Sequence, residues 1–138
     1  MKLTNFELED TVTLRYAGKY VDLHNDYDFC GFKYSVSSQV LEMQWHKFAD
    51  EESIPNNVEK IKLYFSGVNF LKVQERDREM PVSEDKCIDV IGFLPQEMRE
   101  DMESFGVKPD YDNDDMIIIF RGGQTVKINA EEVKLVIE

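Results

Sequence analysis

Histidine and cysteine are scarce in this chain, so the chemistry they could do is soon enumerated. His24, Cys30, His46 and Cys87 are the whole inventory. No two of them stand at the short paired spacings of a structural zinc site, so no metal site is expected. Cys30 shares an alternating face with Phe32 and Tyr34 and reads as a buried thiol acting as a small hydrophobe. His24 is the more interesting residue. In Leu23-His24-Asn25-Asp26-Tyr27-Asp28 a carboxylate could orient its imidazole as a base, so His24, Asp26 and Asp28 form one candidate ligand or enzyme site. Beyond that, no serine stands in a nucleophile turn and no cysteine lies beside a cationic activator. Gly122-Gly123-Gln124-Thr125 lacks the lysine and following helix of a phosphate loop. No catalytic residue and no cofactor are therefore expected.

Carboxylates are the abundant reactive groups. Acidic residues outnumber basic ones 28 to 16, a net charge of −12 on 138 residues. A field of that sign repels phosphate backbones and anionic headgroups, which argues against free nucleic acid and membrane surface as partners. The charge is also concentrated. Glu97, Glu100, Asp101, Glu103, Asp110, Asp112, Asp114 and Asp115 face only Arg99 and Lys108, which places half the net charge in one contiguous stretch. Such a stretch is either a solvated surface or a docking face for a cationic protein partner. Asp110-x-Asp112-x-Asp114 echoes the opening of a calcium loop, but Asp115 stands where the turn needs glycine and Arg121 where the bidentate glutamate belongs.

The elements that would carry these groups are mostly strands. Met116 to Phe120 is apolar on both faces, Gly122-Gly123 supplies a hairpin turn, and Val126, Ile128 and Ala130 alternate on the return. Val133, Leu135 and Ile137 predict a third strand completing a meander. A second hairpin runs from Cys30 to Val36, through Ser37-Ser38, into Leu41, Met43 and Trp45. Ile61, Leu63 and Phe65 repeat the pattern, and Gly67 interrupts before a bulged continuation or another short strand. Cys87 to Phe93 is a further strand. Val12 to Leu23 fits a strand pair turning at Ala17-Gly18, with a short amphipathic helix as the alternative. Pro95, Met98, Met102, Phe105 and Gly106 predict one late helix over about 95–105. The expected fold is mainly β (α+β): a single domain over 1–138, an antiparallel sheet or flattened sandwich of about seven strands. The aromatic content of 12% and Trp45 among Leu41 and Met43 read as core, not as a base-stacking platform.

Three segments carry a family resemblance. Leu23-His24-Asn25-Asp26 runs into the hairpin Phe29 to Trp45; Ile61-x-Leu63-x-Phe65-Ser66-Gly67-Val68 follows; Phe120-x-Gly-Gly-x-x-Val-x-Ile-x-Ala130 closes the set. Together they resemble a group of small bacterial β-rich proteins that includes toxin-neutralising immunity proteins. Where that group often has His directly before Asp, Asn25 intervenes here. The resemblance implies binding a basic toxin and no active-site chemistry.

The first ten residues hold three acids and no apolar run, and the longest apolar stretch, Met116 to Phe120, is far too short to span a bilayer. A cytoplasmic protein is expected on these grounds. A homodimer through an exposed strand edge is a further alternative.

Overall fold

Strict alternation builds the largest sheet. In β6 (Val40–Lys47) Leu41, Met43 and Trp45 are fully buried, and in β7 (Lys60–Ser66) Ile61, Leu63 and Phe65 match them. Their neighbours Glu42, Gln44, Lys62 and Tyr64 turn outward, as a strand with one wet face requires. The computed structural model describes residues 1–48, 58–100 and 106–138. Within them β1 (Lys2–Thr4), β12 (Glu132–Ile137), β7, β6 and β5 (Tyr27–Ser35) form a five-stranded sheet in that order. Every pair is antiparallel except β1 with β12. A four-stranded antiparallel sheet follows the order β8 (Phe70–Gln74), β11 (Thr125–Asn129), β10 (Asp115–Phe120), β9 (Ile88–Leu94). A third sheet joins β2 (Glu7–Leu8), β3 (Thr13–Tyr16) and β4 (Lys19–Asp22). Side chains from all three sheets, among them Leu14, Trp45, Phe65, Ile91, Phe120 and Leu135, meet in one hydrophobic core.

The chain is thus mainly β, with twelve strands among the described residues in place of about seven. The late helix is not formed as expected. Residues 95–100 hold only a single 3₁₀ turn, Gln96–Met98, with Pro95 extended in front of it at ψ 148°. Residues 101–105 lie outside the described residues. Gly106 is not a helix cap but bridges Phe93 by a pair of backbone hydrogen bonds of 2.8 and 2.9 Å. The stretch therefore leaves β9 and comes back to it.

The meander is also corrected. β10 and β11 pair as expected, but β12 leaves for the five-stranded sheet, because β8 already occupies the other side of β11. β7 to β8 makes the same crossing, and the two corners touch. Glu131 N–H donates to the carbonyls of Ser66 at 3.0 Å and Gly67 at 3.3 Å. Gly67 adopts φ +64°, and a Cβ there would sit 2.6 Å from Glu131 side-chain carbons. Glycine is needed at this corner both for its backbone and for its size.

Near the N-terminus the strand reading holds. β3 and β4 form a hairpin whose turn, Ala17 at φ 48° and Gly18 at φ 77°, has the two left-handed residues a tight hairpin wants. The other glycine turn is a docking point. A Cβ on Gly122 would overlap Asp85 Oδ1 at 2.1 Å, so the absent side chain lets the 76–87 segment lie against the β10–β11 hairpin. Arg76 Nε fixes that segment on both Asp85 oxygens, at 3.0 and 2.8 Å.

Candidate functional site

The acidic stretch is built on its own inner carboxylates. β10 is covered on both faces: Met116, Ile118 and Phe120 enter the core, while Asp115 and Ile117 point to the other side. There the segment after β9 folds back over the sheet. Arg99 Nε donates to Asp115 Oδ2 at 2.6 Å and Nη2 to Oδ1 at 2.9 Å, a two-pronged ion pair with Asp115 fully buried. Asn129 Nδ2 adds a bond to Asp115 Oδ1 at 2.8 Å and another to the Asn113 carbonyl at 2.8 Å. Lys127 Nζ donates to the Arg99 carbonyl, and the Arg99 guanidinium lies 3.9 Å over the centre of the Phe70 ring. Its bond to Asp115 holds the Arg99 pKa above the ordinary arginine value. A charge removed from water in this way needs its partners, and here each end is met.

Asp114 does the equivalent work for the loop. It is buried, and its Oδ2 accepts the backbone N–H of Asp110 at 2.8 Å and of Tyr111 at 3.3 Å. Its Oδ1 has no hydrogen-bond partner among the described residues. This local clip explains the Asp-x-Asp-x-Asp spacing without an ion: the third carboxylate closes the turn on the first.

Asp114 and Asp115 are therefore corrected as partner-binding residues, since neither reaches the surface. Asp101 and Glu103 lie outside the described residues. The remaining four, Glu97, Glu100, Asp110 and Asp112, are exposed. Glu100 reaches Lys72 at 3.4 Å, with its own side chain 86% exposed, so that contact leaves the carboxylate open to solvent. The turn and the loop come together around an open hollow of about 460 Å³ lined by Pro95, Gln96, Glu97, Tyr111 and Asn113. Tyr111, not singled out from the sequence, is 64% exposed at its rim. An exposed aromatic inside a run of aspartates is the signal that could have found it.

The His24 site is assembled differently from the expectation. His24 is half-buried, but Nδ1 lies 2.5 Å from the Ile88 carbonyl and not against Asp26 or Asp28. A carbonyl only accepts, so that contact places the proton on Nδ1. Asp22 bonds instead to the backbone N–H of His24 at 3.0 Å and of Asn25 at 2.9 Å, closing the turn. Asp28 pairs with Lys86 at 3.6 Å. Asp26 is pushed up from the ordinary aspartate value by burial and then by Asp22.

The structure does bring Cys87 Sγ to 3.5 Å from His24 Nδ1, a pairing invisible in the sequence. A cysteine nucleophile needs a free imidazole lone pair on the thiol side, and here that nitrogen is committed to donating. Burial also pushes the Cys87 thiol up, against the opposing pull of Arg121. The pair is arranged to pack, not to react. Cys30 is corrected as well: it is exposed, because a β-bulge falls between Phe29 and Gly31 and throws it out of the alternation.

No family model, curated protein or solved structure matches this chain.

Proposed function

We propose that this chain is a non-catalytic binding domain that engages a cationic protein through the surface around Glu97, Glu100, Asp110, Asp112 and Tyr111. One observation carries the reading. The acidic stretch divides its carboxylates between two tasks, with Asp114 and Asp115 buried as scaffold and Glu97, Glu100, Asp110 and Asp112 exposed, Glu97 sharing a hollow with the exposed Tyr111. Fixing a loop on buried ionic bonds costs desolvation, and a merely solubilising surface does not require it. Carboxylates at the rim of a hollow attract lysine or arginine over long range, and the Tyr111 ring offers a face on which a guanidinium can stack. The resemblance to immunity proteins supports a basic toxin as the kind of partner.

Affinity capture from the native host at low salt, with wild-type bait and with E97Q/E100Q/D110N/D112N, tests the proposal. Basic proteins retained by the first and lost by the second are the expected result. Equal retention by both baits would contradict it.

A further inference from the structure

The free edge of the five-stranded sheet offers a second and chemically opposite surface. β5 ends the sheet order, so among the described residues no strand lies beside one side of its backbone. Its first half is blunted: the bulge at Cys30 disrupts the ladder, and the 3₁₀ turn Val82–Lys86 lies alongside, with Lys86 on Asp28. Its second half, from Gly31 to Ser35, has neither protection. Phe32 and Tyr34 lie opposite the buried Met43 and Leu41, on the core side of the sheet, yet remain 41% and 39% exposed. They are the outer margin of a core that one more strand would cover.

Charge selects which strand. On the outward face beside this half stand Lys33 and Lys62 with Glu42 between them, in a chain whose net charge is −12, while Asp28 on the same face lies in the blunted half and is paired with Lys86. Glu42 is shared with Lys62 at 3.7 Å, and Lys33 makes no ion pair among the described residues. Gly31 leaves the face open beside Lys33, since a Cβ there would meet nothing within 4 Å. The result is a cleft of about 280 Å³ running from Gly31 past Gln44 to Lys62. A second copy of the chain fits poorly. Two bodies of the same strong charge repel.

We infer that β5 from Gly31 to Ser35 accepts an extended segment of a partner protein in which apolar and acidic side chains alternate. Backbone hydrogen bonds add it as a sixth strand; its apolar side chains cover Phe32 and Tyr34, and its acidic ones lie over Gly31 and against Lys33. This surface is separate from the acidic one and stands or falls independently of it.

The test is an amide-resolved NMR titration of the full chain with a capped octapeptide alternating valine and glutamate, alongside its valine–lysine counterpart. The glutamate peptide is expected to shift and slow exchange of the Gly31–Ser35 amides, with the lysine peptide weaker at these residues. K33E, an exposed change that leaves the β6 amides in place, is expected to reduce glutamate-peptide binding about fivefold and invert the preference. No response of Gly31–Ser35 at millimolar peptide overturns the inference. So does an equal response to both peptides, or edge amides already protected in proportion to protein concentration, which would identify a second copy as the occupant. Shifts from the lysine peptide around Glu97 and Asp112 report on the other surface and are read separately.

Discussion

Asp115 does more for the acidic surface than any carboxylate that faces solvent. It receives both prongs of Arg99 and the amide of Asn129, and so pins the segment after β9 onto the back of β10. Asp115→Ala leaves the Arg99 guanidinium without its carboxylate and the Asn129 amide with backbone carbonyls alone, and a loss of about 3–5 kcal/mol in urea unfolding is expected. Asp26 bears on pH instead. Because burial and Asp22 raise its pKa in the folded chain, the folded state holds that proton to higher pH than the unfolded state does. Ionising it costs the fold, so its contribution falls as pH rises from the ordinary aspartate value through the raised one. Unfolding curves for wild type and Asp26→Asn across the acid range are expected to diverge upward in pH, with the variant gaining relative stability. Parallel curves would remove Asp26 from the account.

At the scale of elements, the alternating strands and the partners joined by a tight turn were legible, and the more distant partners were not. Leu41-x-Met43-x-Trp45 and Ile61-x-Leu63-x-Phe65 announce one wet and one dry face, and the structure obeys. What alternation cannot state is which strand lies next door. β12 looks like the third arm of a meander, yet it crosses to another sheet because β8 has taken its place beside β11. Over residues 95–100 the expected helix is absent for a related reason. Met98 at helical spacing looked like a packing face, and that spacing does not reveal that Arg99 is anchored on Asp115. Cys30 misled because one bulge reverses the phase of every residue after it. The crossing itself is testable. Gly67→Ala places a methyl group against Glu131 at a positive φ, and a loss of about 1–3 kcal/mol is expected. Adding Glu131→Ala should return the steric part of that loss in the same unfolding assay and leave the backbone part.

For the whole molecule, the distribution of charge matters more than its total. Exposed carboxylates lie on the 95–100 turn and the 110–113 loop, while Lys33 and Lys62 stand on the outward face near the β5 edge. The two surfaces suit different partners, and salt acts on each through screening. Among the described residues no helix is long and apolar enough to cross a membrane. The central claim is that Glu97, Glu100, Asp110 and Asp112 draw in a cationic protein, and a rate measures it best. Stopped-flow association with the basic protein captured from the host, at low and at high ionic strength, should show E97Q/E100Q/D110N/D112N associating about tenfold more slowly at low salt and converging on wild type at high salt. Identical association rates for the two proteins at low salt would contradict it.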